Sequence, residues 1–378
     1  MNLATVAYDL RFLESTENIE RAIRRATNRV PNAGVCRSVS VCLQQGRMYF
    51  EAASQAPIEI RPLIVFYGMM ALAKGIVAGR TLRNLSALSQ AHGLRDISEH
   101  GARLPDLRVK VDGQGTFQDF NNIVCELEGL IFFEHAMTQK CVIPTARSPE
   151  LDQAELTLRN VLARTPRLEG LYKATYAEEA GALLFSLHLD DGPSDLVALR
   201  IDVAELYDDP ASLARIIGAL REKYPMLRNW RFQRAEKAWD NSIFTLVNCA
   251  PFAEEFDPAS LVEHGPGGFR FERGMLADVT SDFRERMLPV AGGLLPVDSY
   301  LIQPVDGLYV SEAALKYAGM YLLSSLVRYR PQIWVHAVSR LVTPDRNADD
   351  SSLALIEDFM SSAQSTFSAL AIRLLTEP

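Results

Sequence analysis

The stretch IRPLIVFYGMMALAKGIV, residues 60–77, limits what this chain can fold into more than any other segment. It is the most apolar run in the sequence, with Arg61 at one end and Lys74 near the other, so it must either span a bilayer or lie inside a protein core. Eleven uncharged residues separate Pro62 from Lys74, short of the roughly 20 that the hydrocarbon layer requires. The expectation is therefore a buried helix. Pro62 suits its first turn, where the missing N–H would have no partner anyway, and Ile60 before it is biased towards extended backbone. Leu63, Phe66, Met69, Met70 and Ala73 share one face, and apolar residues elsewhere predict burial nearly all round.

A helix of that kind needs other helices to cover it, and both ends of the chain offer them. Residues 17–30 read as an amphipathic helix, and residues 36–53 as a second, with Val39, Leu43, Tyr49 and Phe50 as anchors and Pro57 beyond its end. A short helical piece is expected before His92-Gly93, with the glycine as a helix end. Near the C-terminus Ser311 can cap a helix to Tyr329, with Leu315, Leu322 and Leu326 inside and Pro331 as the break. In the last segment Leu353, Ile356, Met360, Ala363, Phe367, Leu370 and Leu374 alternate steps of three and four, a stripe that packs against other helices.

The middle has a different period. Residues 104–112 read as a short strand ending at Asp112-Gly113, and residues 151–162 as a helix. Strand-like segments flank Asp190-Asp191-Gly192-Pro193, a turn signal for a hairpin over 182–202. A helix from Pro210 to Lys223 follows, then strands over 226–234, 242–248 and 269–273. The predicted class is α+β and mostly α: a discontinuous helical core from residues 1–103 and 296–378, with an antiparallel α+β segment, 104–295, inserted or docked beside it.

With 378 residues, 48% hydrophobic and 23% charged, the chain has the makeup of a globular protein. A net charge of -8 argues against a surface built throughout for phosphate, so any nucleic-acid site must be a local patch. Cys36, Cys42, Cys125, Cys141 and Cys249 are widely spaced, with no C-x-x-C pair, and read as reduced thiols rather than metal ligands. Acidic residues at the N-terminus, where a signal peptide would be apolar, make the cytoplasm the expected location.

The segments SVSVCLQQGRMYFEAA (38–53), IRPLIVFYGMMALAKGIV, His92-Gly93-Leu94 and YLIQPVDGLYVSEAALKYAGMYLLSSLVRYRPQIW (300–334), in this order, resemble the YaaC-like family of bacterial proteins. That family has a helix ending in a QGR-x-YF pattern, an RPLL-x-YYG core helix, an HG motif and a late QP-V block running into LVRY-x-P-x-x-W. Gly75 stands where the family has alanine after the lysine. The resemblance implies a bacterial cytoplasmic protein with its motifs at both ends, and it supplies no reaction.

Four cations gather around those motifs. Arg61 and Lys74, with Arg47 and Arg328 as companions, are expected either to pair with acids or to line an anion-binding groove. His92 can serve as a general acid or base, or bond a helix carbonyl. Arg330 and His336 in RPQIWVH fit the loose spacing of HEPN-type endoribonucleases, in which histidine takes a 2′-OH proton and arginine stabilises the phosphorane. Pro331 disturbs the helical phase that such a pair needs. Arg21, Arg25 and Arg29, beside Arg24, form a stripe that Glu17 and Glu20 partly neutralise, best read as a solvated face. The glycine-rich HGPGGF (264–269) lacks P-loop and dinucleotide spacing and reads as a loop. With zinc-hydrolase, α/β-hydrolase and P-loop motifs absent, no cofactor or metal is expected.

These residues yield one reading and two alternatives. The first is a cytoplasmic interaction or regulatory protein that binds a protein partner or itself, in a bacterial stress or antiphage setting. The alternatives are a metal-independent ribonuclease using His92 or His336 with Arg330, and a nucleotide-sensing protein. No membrane partner is expected.

Overall fold

The computed structural model describes residues 10–125, 129–134, 139–189, 197–202, 210–224, 231–234, 243–248, 262–263, 269–270, 290–291, 299–338 and 349–377. The chain is mostly helical with antiparallel sheet. It divides into two compact units. One draws on residues up to Val124, on Ala146–Ala180 and from Glu312 onward; the other on Cys125–Thr145 and Gly181–Ser311.

The first unit begins with α1 (Leu10–Leu13) and α2 (Thr16–Thr27), the latter stopped by Asn28 in left-handed conformation at φ 52°. Helix α3 (Ala33–Gln55) is capped by Asn32, whose side chain accepts from the Val35 amide at 2.9 Å. Helix α4 (Arg61–Thr81) is the predicted core helix, with Val65, Phe66, Met69, Leu72, Ala73 and Ile76 all fully buried. Among the described residues it alone has the length and composition to cross a membrane. Its surroundings are protein: α3 on one side and two C-terminal helices on others. The α3–α4 crossing is close because both helices carry glycine there. A Cβ on Gly46 would lie 2.5 Å from Leu72 Cδ2, and one on Gly68 would lie 2.5 Å from Phe50 Cε1.

Strands β1 (Leu94–Asp96) and β2 (Arg108–Val111) then pair antiparallel, followed by α5 (Thr116–Val124). Strands β3 (Gly129–Glu134) and β4 (Gln139–Pro144) form an antiparallel pair in the second unit. Back in the first unit come α6 (Ser148–Leu151), β5 (Glu155–Thr157) pairing with β2, α7 (Leu158–Ala163) and α8 (Glu169–Tyr176). The single helix expected over 151–162 is thus interrupted. Gln153 adopts φ 67°, three residues join the sheet, and Thr157 caps a new helix by accepting from the Asn160 amide at 3.0 Å.

The second unit continues with β6 (Ala182–Leu189), β7 (Val197–Asp202), α9 (Pro210–Lys223), β8 (Arg231–Arg234), β9 (Ile243–Asn248), β10 (Val262–Glu263), β11 (Phe269–Arg270), β12 (Val290–Ala291) and β13 (Ser299–Ile302). Six of these strands form one sheet in the order β12-β13-β6-β7-β9-β8, every neighbouring pair antiparallel. The expected turn at 190–193, most of HGPGGF and the start of the 226–234 strand lie outside the described residues.

The first unit closes with α10 (Glu312–Tyr329), α11 (Pro331–Val338) and α12 (Asp349–Thr376). Pro331 opens α11 rather than only ending α10, since a first-turn proline loses no helical hydrogen bond. Helices α10 and α12 both pack on α4. An aromatic cluster joins them: Tyr317 of α10 stands 5.5 Å from Phe66 and 5.7 Å from Phe117, and Phe120 stacks on Phe367 of α12 at 5.1 Å. Residues 104–124 and 146–180, placed by periodicity with the middle segment, belong to this helical unit, because α5 supplies Phe117 and Phe120 to its core.

Candidate functional site

Of the four cations singled out, two are committed to acids. Arg47 grips Glu14 through Nε at 2.5 Å and NH2 at 3.1 Å, and reaches Glu51 at 2.8 Å. These bonds push the guanidinium pKa up and hold the Glu51 carboxyl below its usual range. Arg61 donates through Nε and NH2 to the Ala56 carbonyl at 3.2 and 3.0 Å and pairs with Glu357 at 3.3 Å, fastening the end of α3 to α12. Both residues hold the bundle together.

Lys74 and Arg328 are different. Each is half-buried, and neither forms an ion pair with a carboxylate among the described residues. Arg328 makes only long contacts within its own helix, to the Ser324 carbonyl at 3.4 Å and hydroxyl at 3.5 Å, and lies 4.9 Å from the centroid of the Tyr329 ring. Lys74 sits in α4 close enough to Cys42 to oppose the effect of burial, which pushes that thiol up to about 12.

His92 links these two charges. Its pKa is lowered, first by burial and then by the positive charges of Arg328 and Lys74, so the ring is held neutral near pH 7. Its Nδ1 is buried with no hydrogen-bond partner among the described residues. The rings of Phe66, His92 and Tyr321 form a triangle with every centroid separation 5.8 Å. Three helical elements thus border His92, α4 through Phe66, α10 through Tyr321 and the start of α5 through Phe117 N–H, while Lys74 and Arg328 act on it through their charge.

The backbone explains why His92 is held there. Gly93 is not a helix end as expected; the preceding helical turn, Leu85–Ala87, finishes well before it. Gly93 sits at φ +80°, and a Cβ there would lie 1.8 Å from Gln118 Oε1, so no other residue fits. The first amides of α5 bind the same loop, Thr116 N–H to Ala91 O at 2.9 Å and Phe117 N–H to His92 O at 3.0 Å, while Gln118 Nε2 donates to Gly93 O at 2.8 Å.

Asp96, at the end of β1, pins the other side. Its Oδ2 accepts from Ser325 of α10 at 2.8 Å and its Oδ1 from Ser98 N at 2.9 Å. Arg330 completes this latch, 3.6 Å from Asp96 Oδ1 and donating to the carbonyls of Ser98 at 2.8 Å and Glu99 at 3.1 Å. Its guanidinium is therefore occupied by the loop after β1, and His336 lies on the exposed side of α11. The arginine stripe on α2 is exposed as expected. Cys36 and Cys42 are free and buried, and Cys125 is buried. Cys249 and the side chain of Cys141 lie outside the described residues.

Periodicity missed Tyr321, Asp96 and Ser325. Tyr321 could have been found, since it precedes Arg328 by seven residues and so shares its helical face. Asp96 had no such signal, its partner Ser325 being 229 residues away.

The family described as YaaC-like Protein matches residues 7–375. The chain belongs to the YaaC-like family. No curated protein and no solved structure matches it. All the residues that converge on His92 fall within the matched span. Gly93, Phe66, Lys74 and Arg328 are also part of the segments whose order carries the resemblance.

Proposed function

We infer that this YaaC-like protein is a regulatory protein that responds to an oxyanion, a phosphate-bearing ligand, bound where α4, α10 and the His92 loop meet. The observation that carries this reading is a pair of half-buried cations, Lys74 and Arg328, whose charges both act on His92, with no carboxylate among the described residues to neutralise either. Half-buried cations lose hydration and ordinarily gain a paired acid in return. An incoming oxyanion supplies that missing charge. The aromatic triangle of Phe66, His92 and Tyr321 gives a firm wall. Arg328 suits a forked contact and Lys74 a point charge.

The regulatory output runs through a protein partner or a second copy of the chain, with the α+β unit as the contacting part. Bacterial stress or phage defence is the setting proposed with it. An anion bound at these cations changes the stability of the helical unit, the kind of differential binding a switch requires. The test is thermal unfolding in sodium chloride against inorganic phosphate, pyrophosphate and ATP at matched ionic strength. The reading predicts stabilisation by at least one phosphate species, lost when Lys74→Ala and Arg328→Ala are combined. Equal behaviour in chloride, or stabilisation that survives in the double variant, refutes it.

A further inference from the structure

We propose that the phosphate-bearing ligand is a nucleotide whose base lies flat on the seam between α3 and α4, against Tyr67 and Tyr49. This rests on the oxyanion reading above and adds to it the part of the ligand beyond the phosphate. The seam is an open face on the central helix. Leu63, Tyr67, Met70 and Lys74 of α4 follow one another at steps of four, three and four, so they share a face, and all four are half-buried. Between them Val65, Phe66, Met69, Leu72 and Ala73 are fully buried. A stripe that is apolar and aromatic, and that ends in a lysine without an ion pair among the described residues, has the makeup of a small-molecule site.

The register of the two helices puts a second ring beside the first. They run antiparallel, with Gly46 against Leu72, Phe50 against Gly68 and Cys42 against Gly75. Continuing that pairing brings Tyr49 to Tyr67, with ring centroids 5.9 Å apart and planes 30° from parallel. It also brings Cys42 to Lys74, whose charge is felt by that thiol. Cys42 and Tyr49 stand seven residues apart on α3, as Tyr67 and Lys74 do on α4. The tyrosine pair and the lysine therefore lie on one seam, about 10 Å apart along the helix axes.

These two tyrosines differ from the inner rings of the unit. Tyr317, Tyr321 and Phe66 are buried and packed edge to face. Tyr49 and Tyr67 are half-buried, and neither hydroxyl has a hydrogen bond among the described residues. Such a pair offers a ring face for stacking and hydroxyls that can donate to or accept from the edge of a base. Inorganic phosphate uses neither. Two helical turns between lysine and rings call for a spacer between phosphate and base, which ribose supplies, whereas a phosphate carried directly on a ring falls short. In a bound nucleotide the phosphates meet Lys74, the sugar passes Met70 and the base covers the tyrosines.

The experiment is isothermal titration of the full chain with ATP, GTP, CTP and UTP and with inorganic tripolyphosphate, which has the charge and lacks the base. The proposal expects at least one nucleotide to bind about tenfold or more tighter than tripolyphosphate, stacking of a base on aromatic rings being of that order. Tyr67→Leu and Tyr49→Leu keep an apolar side chain at positions outside the buried core. Each should weaken nucleotide binding about fivefold or more and leave tripolyphosphate binding where it was. Equal weakening of both probes, the result of a merely structural role, overturns the assignment, as does a nucleotide preference that survives both substitutions. Tripolyphosphate binding as tightly as every nucleotide overturns it too but leaves the oxyanion reading standing, whereas binding of neither kind removes both.

Discussion

Tyr317 offers a direct measurement of how the helical unit is built. Its side chain is completely buried, ringed by Phe66, Phe117, Phe120 and Phe367 at centroid distances of 5.5 to 6.1 Å. Its hydroxyl has no hydrogen-bond partner among the described residues, and burial, with Tyr321 adding to it, raises its pKa well above the usual tyrosine value. Tyr317→Phe keeps the ring and its packing and removes only the oxygen. A buried unpaired hydroxyl costs about 1–3 kcal/mol. The lost oxygen forfeits a few dispersion contacts of about 0.1–0.2 kcal/mol each. The net effect is a gain of about 1 kcal/mol, roughly a fivefold shift in the opening equilibrium of α10. Hydrogen exchange read by mass spectrometry on peptides from 312–329 isolates this helix from the second unit. Exchange should slow by about that factor. Faster exchange in Tyr317→Phe would show that the hydroxyl has a partner in solution and that the reasoning fails.

Other expectations separate scaffold from site. Arg61→Ala removes two bonds to the Ala56 carbonyl and the pair with Glu357, and should lower the stability of the helical unit by about 1–2 kcal/mol; Lys74→Ala and Arg328→Ala, which break no ion pair among the described residues, should leave it unchanged or raise it in denaturant titrations. Each of those two substitutions should also raise the His92 pKa followed by imidazole NMR, since each removes a positive charge that disfavours the protonated ring. Because the folded pKa of His92 lies below the unfolded value of about 6.5, its contribution to stability is full above that pH. The contribution is lost as pH falls through the folded value, and His92→Gln should flatten that part of the stability curve. Gly93→Ala places a methyl against Gln118 at φ +80° and should cost more than about 1 kcal/mol in melting experiments, with the phosphate response weakened.

The long helices were readable because their signals are local. The Pro62 start of α4, the strict stripe of α12 and Pro210–Lys223 depend on residues within a turn or two, and each appears close to its predicted place. Short elements fared worse. Over 151–162 the chain makes a turn, three sheet residues and a capped helix, because Gln153 takes a positive φ and β2 offers an edge, which sequence periodicity does not encode. The site was half legible for a similar reason. Arg47, Arg61, Lys74 and Arg328 look alike in one dimension. What divides them is a long-range partner: Glu14 lies 33 residues from Arg47 and Glu357 lies 296 from Arg61. His92 likewise depended on α5 arriving from the segment assigned elsewhere.

The central claim is that an oxyanion binds at the unpaired cations flanking His92. Crystals of the protein equilibrated with tungstate, a phosphate mimic with a strong anomalous signal, test it at the atoms concerned. The account predicts an anomalous peak within hydrogen-bonding distance of the Arg328 guanidinium or of Lys74 Nζ. The contradicting result is no tungstate there and a carboxylate from the protein itself against both cations.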